Sequence, residues 1–275
     1  MCSAPLPMDY DNPACRSILQ RIRFTHPFVY GLTNYVAATL SANVLLAVGA
    51  APAIGAAPGW ASSFGAHAGA MWVNAAGLIN CTAQDMIAAV TAANAHHVSW
   101  VLDPVAMGAG ASEYDTIIHD LAMRGPAVIR GNASEVMALA GGAATARGVE
   151  TTASITQALP LAAKLAQARG VIVAISGPED HILAPDGQHI IIPGGHPMLT
   201  VVTGMGCALG GLVAAALAVT PAGNDRLLAV AAAHALYARA AEMAAPAAQG
   251  TASFATGFVD ALSRLQNVTG EAAPG

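Results

Sequence analysis

Charged residues are scarce in this chain of 275 residues: Asp, Glu, Lys and Arg make up only 10% of it, and Lys164 is the single lysine. The formal net charge is −5. Proteins that bind nucleic acid carry a basic surface that neutralises backbone phosphates, and this sequence has no comparable concentration of Lys and Arg. The composition therefore argues against a nucleic-acid partner.

The cysteines show no metal-binding or disulfide pattern. There are four, at positions 2, 15, 81 and 207, and none forms a CxxC pair. This spacing disfavours a structural zinc site or a disulfide framework and suits a reducing compartment. The first residues also lack the basic start and apolar run of a signal peptide. We therefore expect a cytoplasmic protein.

Residues 24–84 contain no Asp, Glu, Lys or Arg. Within them, residues 36–54 are about long enough to cross a bilayer. Thr39, Ser41 and Asn43 interrupt this stretch, and it lacks flanking basic residues and an aromatic belt on both sides, so we expect no membrane span. A helix that is apolar on nearly every face is otherwise buried all round. We therefore expect an oligomer interface in this segment.

Apolar runs alternate with longer helical patterns along the chain, and we expect one domain over residues 1–275. Strands of this kind, apolar on both faces and separated by helices, predict a largely parallel sheet covered on both sides. The predicted strands are 28–31, 51–56, 71–75, 100–105, 127–130 and 171–176. The predicted helices between them are 82–97, 112–124, 134–140 and 155–169. After these, the pattern predicts an edge hairpin (181–183 and 188–192) and three helices (208–219, 225–245 and 254–265).

The stretch V-T-G-M-G-C at 202–207 precedes a helical run. Glycines expose consecutive backbone N–H groups, and a helix N-terminus adds unpaired donors, so Gly204 and Gly206 could form an anion site. A plain glycine turn that opens a buried helix explains the stretch equally well. It is not a Walker A loop, because GxxxxGK[ST] occurs nowhere, and it is not a dinucleotide fingerprint.

Two carboxylates lie next to predicted strand ends. Asp103 ends an apolar run and precedes Pro104. Asn132 and Glu135 have an N-x-x-E spacing at a helix start, which suits either a hydrated Mg²⁺ ion or a capping box. Arg130 ends an apolar strand in a chain that is poor in charge, and an arginine in that position usually has an anionic partner. This favours the reading in which these residues bind a polyphosphate and its metal ion.

Taken together, these motifs resemble the hydroxyethylthiazole kinase family, and the resemblance covers most of the chain. The stretches that carry it are L-T-N-Y-V (32–36), L-D-P-V (102–105), R-G-N-A-S-E (130–135), G-G-H-P (194–197) and V-T-G-M-G-C (202–207). The resemblance implies a ribokinase-like three-layer αβα sandwich with a mostly parallel central sheet. It also implies a thiamine-salvage enzyme that uses ATP to phosphorylate the primary alcohol of 4-methyl-5-(2-hydroxyethyl)thiazole.

Carried over by position, the resemblance implies a role for each of ten residues. ATP would be contacted by Arg130, Asn132, Ser176, Gly204 and Gly206. The thiazole would be contacted by Asn34, Ile54, Gly204 and Cys207. Mg²⁺ would be held by Asp103 and Glu135. The family further implies a homotrimer with substrate sites at subunit interfaces, which suits the segment without charge, and no membrane partner.

The chain departs from the family pattern at Ile54, at residues 74–78 and at Ser176, which replaces a common threonine and keeps the hydroxyl. Ile54 stands where methionine is common, and Asn74-Ala75-Ala76-Gly77-Leu78 replaces an N-I-G-T-L pattern and loses a threonine hydroxyl; these two departures put the substrate in question. Cys207 occupies the position of the catalytic aspartate of ribokinase relatives; a free thiol has a pKa of about 8.5, which a helix N-terminus can lower. Kinases of hydroxymethylpyrimidine or pyridoxal, and an ATP-dependent dehydratase of damaged nicotinamide nucleotides, usually keep that aspartate. They are the alternatives, together with a nucleotide-binding protein without turnover.

Overall fold

The computed structural model describes residues 4–55, 59–142, 154–223 and 225–265. The strands in these ranges are β1 (Leu6–Pro7), β2 (Phe28–Leu32), β3 (Ala51–Ile54), β4 (Ala70–Asn74), β5 (Ser99–Asp103), β6 (Val128–Asn132), β7 (Ile172–Ser176), β8 (Asp180–Leu183) and β9 (His189–Ile192). The helices are α1 (Pro13–Thr25), α2 (Tyr35–Ala47), α3 (Ala61–His67), α4 (Ala83–Ala95), α5 (Ser112–Ala122), α6 (Ala133–Leu139), α7 (Ile155–Arg169), α8 (Met198–Val201), α9 (Met205–Ala218), α10 (Asp225–Ala244) and α11 (Thr251–Arg264). Two short 3₁₀ helices cover Ala75–Ile79 and Ala245–Ala247.

The nine strands form one sheet in the order β1-β9-β8-β7-β6-β5-β4-β2-β3. The β7/β8 and β8/β9 pairs are antiparallel, and every other pair is parallel. The predicted mostly parallel sheet is therefore confirmed. Because the parallel strands point the same way, their carboxyl ends lie along one edge of the sheet.

Helices cover both faces of the sheet and produce three layers. Alternate strand residues enter different cores: Val29 joins a core formed with α1, α2, α9, α10 and α11, whereas Tyr30 joins a core formed with α3 to α7. This alternation follows from the two-residue period of a strand. Both faces of the central strands are thus apolar, as the uninterrupted apolar runs in the sequence predict.

Local signals in the sequence explain where several elements begin and end. Ser154 and Gln157 form a capping box at the start of α7, and Gly170 ends that helix with φ 65°. The predicted strands all occur, with ends that differ by a few residues; for 51–56, Ala56 lies outside the described residues. Helix α9 begins at Met205, before the predicted start at 208. Gly206 and Cys207 therefore belong to the first helical turn rather than to the loop before it.

The structure corrects two expectations about where elements lie. The predicted edge hairpin forms as β8 and β9, but it is not the edge, because β1 pairs in parallel with β9 and covers it. The apolar stretch 36–54 is not one helix: α2 has 13 residues, and the chain turns at Gly49 (φ +93°) into β3. None of the helices in the described ranges is long and apolar enough to cross a membrane.

Helix α2 is also not buried all round, contrary to the expectation for an apolar helix. Its side chains Tyr35, Val36 and Leu46 are 63%, 57% and 59% exposed. Helices α1 and α3 and strand β1 were not predicted at all. Helix α1 does have start signals: the Asn12 side chain accepts a hydrogen bond from the Ala14 N–H, and Pro13 occupies the first helical position.

Candidate active site

Four neighbouring strands end in polar side chains at the carboxyl edge of the sheet. Asn74 ends β4 and pairs with Asp103 at the end of β5. Asn132 ends β6 and pairs with Ser176 at the end of β7. The structure thus brings the predicted residues Asp103, Asn132 and Ser176 to one edge. Asn74 was not predicted as a site residue, although the same argument from strand ends applies to it.

Arg130 joins this edge to the glycine loop. It projects from β6, and its Nη1 and Nη2 donate to the carbonyl oxygen of Gly206 at 3.1 and 2.8 Å. Nη1 also lies 3.6 Å from Oδ1 of Asp103. Burial by itself lowers the pKa of Arg130, but the carboxylates of Asp103 and Glu135 outweigh burial and leave this pKa above its usual value. A permanent positive charge therefore lies directly beside the loop.

Asp103 is 1% exposed, and neither of its carboxylate oxygens accepts a hydrogen bond from the described residues. Burial raises the pKa of Asp103 to about 7; Arg130 and the neighbouring Asn74 side chain oppose this shift, and Glu135 adds to it. Helix α9 passes so close that a Cβ on Gly210 would lie 2.3 Å from Oδ2. A desolvated carboxylate with so few donors around it is stabilised by a cation. Arg130 supplies part of that charge, and a metal ion would complete it.

Glu135 forms the capping box that the sequence left open as an alternative. Its Oε2 accepts the Asn132 N–H at 2.9 Å, and Asn132 Oδ1 accepts the Glu135 N–H at 3.0 Å. Oε1 accepts the N–H of Ala106, whose φ is +61°. Burial raises the pKa of Glu135, while the two backbone donors and Arg130 oppose the rise. Glu135 is therefore a structural carboxylate that retains lone pairs toward a neighbouring ligand.

The carboxylate ligands at this edge suit a Mg²⁺ ion that arrives bound to a nucleotide better than they suit a metal ion held by protein side chains alone. In the described ranges, no group of three or more His, Cys, Asp or Glu side chains could hold a metal ion. Asp103 and Glu135 are two carboxylates, of which Asp103 has free oxygens. Mg²⁺ typically binds one or two carboxylates, several waters and the phosphates of a substrate. The residues present fit that arrangement.

The glycine loop opens α9 and exposes backbone donors. Gly204 has φ +89°, which favours glycine, and a Cβ there would lie 3.3 Å from Ala37 of α2. Tyr237 donates its hydroxyl to the Met205 carbonyl at 2.7 Å. Over the described part of the chain, the N–H groups of Gly206 and Cys207 have no acceptor. Two free donors at the N-terminus of a 14-residue helix could bind an anion.

Cys207 lies in the first turn of α9, next to these donors, and is half-buried. Asn34, which caps α2 by accepting from Ala37 N at 2.8 Å, donates its Nδ2 to Cys207 Sγ at 3.7 Å. Burial and then Asp103 raise the pKa of Cys207, whereas Asn74, Arg130 and Asn34 oppose the rise. The net result is a thiol pKa above its usual value. The thiol is neutral near pH 7 and is a weak proton acceptor.

Ile54 lies apart from these residues. It ends β3, the outermost strand, and pairs with Gly31 of β2. Strands β2 and β4 separate β3 from the strand that carries Asp103, so about three strand spacings of about 4.8 Å lie between them. The structure therefore places Ile54 at the open side of the sheet and brings Asn34, but not Ile54, to Cys207.

The sequence is similar to proteins of a known family. The sequence model of the hydroxyethylthiazole kinase family matches residues 19–268. The chain belongs to the hydroxyethylthiazole kinase family. It is 55% identical over 259 residues to the hydroxyethylthiazole kinase of Burkholderia pseudomallei (strain 668), covering 94% of this chain and 92% of the relative. The candidate site residues Arg130, Asp103 and Cys207 lie within the matched range.

Solved structures share the fold of this kinase family. The hydroxyethylthiazole kinase protein from Pyrococcus horikoshii OT3 is 29% identical with a TM-score of 0.80, covering 92% of this chain and 94% of that one. A ribokinase-like superfamily protein from Enterococcus faecalis V583 has a TM-score of 0.52 at 11% identity, with 94% and 95% covered. The similarity to the Enterococcus faecalis protein concerns the fold alone. The predicted ribokinase-like αβα sandwich is confirmed.

Proposed function

We propose that this protein transfers the γ-phosphoryl group of ATP to the primary alcohol of 4-methyl-5-(2-hydroxyethyl)thiazole, in thiamine salvage. One observation carries the proposal: the Arg130 guanidinium, the Asp103 carboxylate and the free N–H groups of Gly206 and Cys207 meet at one edge of the sheet. Phosphoryl transfer depends mainly on positioning and on stabilising charge, and this cluster provides both. Family membership supports the thiazole as the acceptor.

The nucleotide would bind across the carboxyl ends of β6 and β7. Ser176 Oγ is buried, and no described residue is its hydrogen-bond partner, so it is available to ATP. Asn132 lies opposite Ser176 in the sheet. The positive charge of Arg130 and the donors of Gly204-Met205-Gly206-Cys207 would stabilise negative charge on the transferred group. Arg130 reaches the phosphates beside the Gly206 carbonyl, which it also holds in place.

Asp103 and Glu135 would hold a hydrated Mg²⁺ ion next to the phosphates. When bound, this ion neutralises phosphate charge and orients the transferred group. Asp103 suits direct or water-mediated contact, because both of its oxygens lack donors among the described residues. Glu135 keeps its backbone hydrogen bonds and contributes through its remaining lone pairs.

The alcohol would approach Cys207 from the side of Asn34. Cys207 Sγ accepts a hydrogen bond from Asn34 and lies in the first turn of the helix whose donors face the phosphoryl group. A neutral thiol can accept the alcohol proton only weakly, so most of the rate would come from positioning by Gly204 and the N–H donors. Ile54 would line the thiazole pocket from a neighbouring subunit or from the open side of the sheet.

We further propose a cytoplasmic homotrimer of one-domain chains with its thiazole sites at subunit interfaces. Strand β3 leaves one edge of the sheet open, and Ile54 lies on that edge, away from the rest of the site. The exposed face of α2, with Tyr35, Val36 and Leu46, is close to it in the fold. An interface that covers this edge would enclose both the strand and the apolar face.

A coupled assay of ADP release, with direct detection of the phosphate ester, tests the proposed activity. Purified protein, Mg²⁺ and ATP would be offered the thiazole alcohol, hydroxymethylpyrimidine, pyridoxal and hydrated NADH in parallel. We expect the thiazole phosphate as the main product. Phosphorylation of another acceptor without formation of the thiazole phosphate would reject the proposed substrate. Absence of ADP release and of a phosphate ester with every acceptor would reject the proposed kinase activity.

A further inference from the structure

Helix α10 contains a buried histidine that the proposed chemistry does not use. His234 is 0% exposed, and its Nε2 has no partner among the residues the structure describes. Its Nδ1 lies 2.6 Å from Oδ2 of Asp180, the first residue of β8. An unpaired nitrogen in the core destabilises a fold, and leucine would fill the same apolar space without that cost. The contact with Asp180 therefore points to a role for the His234 ring.

Asp180 connects this ring to the turn that follows β7. A carboxylate only accepts, so His234 Nδ1 is the donor of the contact with Oδ2. The second oxygen, Oδ1, accepts the N–H of Gly177 at 3.0 Å. Because one oxygen is fixed from the core, the carboxylate has one orientation toward the turn. His234 thereby fixes the backbone at Gly177.

This turn borders the proposed nucleotide site. Gly177 directly follows Ser176, whose buried hydroxyl is without a partner in the described part of the chain. Ser176 is opposite Asn132 at the carboxyl edge of the sheet, next to the strand of Arg130. A shift of the Gly177 backbone would move Ser176 relative to the Arg130 strand.

The same face of α10 also contacts the glycine loop, on the other side of the proposed site. Tyr237 lies three residues after His234, and residues at this spacing share a helix face. Its hydroxyl donates to the carbonyl of Met205 in the glycine loop at 2.7 Å. One rigid helix therefore anchors both backbone segments that border the site, the turn after Ser176 and the start of α9.

We propose that His234, acting through Asp180, is a positioning residue that presets the turn after Ser176 for nucleotide binding. Tyr237 has the corresponding role at the glycine loop. The inference rests on the proposed ATP site but not on the identity of the alcohol. Loss of the His234 contact should weaken binding of the nucleotide and leave binding of the alcohol unchanged.

The test compares two substitutions of the histidine. H234L fills the space without a donor, whereas the amide N–H of H234N can still donate to Asp180. For H234L we expect the Kd for Mg²⁺-ADP by calorimetry and the KM for ATP to rise about tenfold, as for loss of one hydrogen bond to a charged group. The KM for the thiazole should change less than about twofold, and H234N should recover most of the nucleotide affinity.

A matched control removes another buried histidine of the same sheet region. H189L, at the far end of the β8–β9 hairpin from Asp180, loses a histidine pair but should bind Mg²⁺-ADP like the wild type. Thermal melting checks that each variant is folded. If H234L does not fold, D180A provides the test at a partly exposed position and should weaken Mg²⁺-ADP binding to the same extent. In a folded double variant the two effects should not add.

Three outcomes overturn the inference. The first is a folded H234L or D180A that binds Mg²⁺-ADP like the wild type. The second is an equal loss for nucleotide and thiazole, which would indicate a general effect on stability. The third is a wild type that binds no Mg²⁺-ADP, which rejects the proposed function as well. A wild type that binds the nucleotide but leaves the thiazole unmodified rejects only the substrate, since the binding measurements still decide the role of His234.

Discussion

Cys207 shows how much a single side chain depends on its surroundings. Sequence alone places a thiol at a position where related kinases of the fold carry aspartate. The structure adds a buried Asp103 nearby and an Asn34 hydrogen bond, and the net effect is a raised thiol pKa. A neutral thiol accepts a proton poorly, so Cys207 would contribute modestly as a base while the backbone donors do most of the stabilising.

Substitution of Cys207 tests how much the thiol contributes as a base relative to the backbone N–H donors. We expect C207D to stay active, because a carboxylate can accept the alcohol proton and the N–H donors of α9 remain. C207A should lose less than about 100-fold in kcat, since loss of a good general base costs about 10²–10⁴-fold and this base is weak. The measurement is kcat at saturating ATP. An inactive C207D beside a C207A of wild-type rate would make Cys207 a packing residue.

Arg130 is the residue on which the site depends most. R130A removes the charge beside Asp103 and both donors to the Gly206 carbonyl, so we expect kcat/KM to fall at least about 100-fold. R130K should recover little, because an ammonium group cannot reproduce the planar two-donor contact. The matched control is R124A, which removes an arginine paired with Asp120 near the surface and should leave the kinetics unchanged. If folded R130A has near-normal kinetics, Arg130 has a structural role and does not contribute to catalysis.

At the scale of elements, the hairpin of β8 and β9 contains a histidine pair that makes stability depend on pH. His181 Nδ1 and His189 Nε2 lie 3.0 Å apart, and both rings are buried. A hydrogen bond between them needs one donor and one acceptor, so at least one ring is neutral. Burial lowers the pKa of both; nearby Glu179 and Asp180 oppose this for His181, and His181 lowers the pKa of His189 further.

The sign of the effect follows from these directions. A histidine whose pKa in the folded state is below its ordinary value of about 6.5 binds more protons when unfolded, so stability falls as pH drops below that value. We expect the free energy of unfolding in urea to decrease between about pH 6.5 and pH 5 by about 1.4 kcal/mol per unit of pKa depression. H189L should show a smaller decrease over this window. An identical pH dependence in both proteins would contradict the assignment to this pair.

At the scale of the whole molecule, exposed apolar surface is concentrated in the segment without charge. Among the described residues, eleven large hydrophobic side chains are exposed, and six of them lie within residues 24–84. These six are Phe24, Tyr35, Val36, Leu46, Trp60 and Ile79. The same segment supplies the open edge strand β3. Exposed apolar surface of this kind is typical of interaction sites.

Light scattering tests the proposed trimer. Three chains of 27.4 kDa give an expected mass of about 82 kDa at micromolar concentration. The double variant V36E/L46E places two charges on the exposed face of α2 and should shift the mass toward a monomer, with a raised KM for the thiazole. M123E adds a charge at an exposed apolar residue outside the segment and should remain a trimer. A monomeric wild type would refute the proposed assembly.

The sequence by itself determined the fold class, the order of most elements and the family. Apolar runs set strands that are buried on both faces, and motifs at strand ends identified Asp103, Arg130, Asn132 and Glu135 as site candidates. These signals are local: period, capping residues and glycine positions act within a few residues of each other. Strand β1 and helices α3 and α8 are too short to show a clear period and were not predicted. Helix α1 was missed although its sequence has a helical start at Asn12 and Pro13 and apolar residues at positions 15, 18, 19 and 22.

Only the tertiary structure decided which candidate site residues contact each other and how their pKa values are shifted. The contact of Arg130 with Gly206 joins residues 76 apart in sequence, and it exists because β6 lies next to β5, one of the strands on which α9 packs. Strand order likewise put Asn74 beside Asp103, kept Ile54 at the far edge and let α10 place His234 against Asp180. The raised pKa values of Asp103 and Cys207 come from burial, which depends on the packing of all three layers. Contacts and desolvation are properties of the assembled chain, so no local pattern in the sequence specifies them.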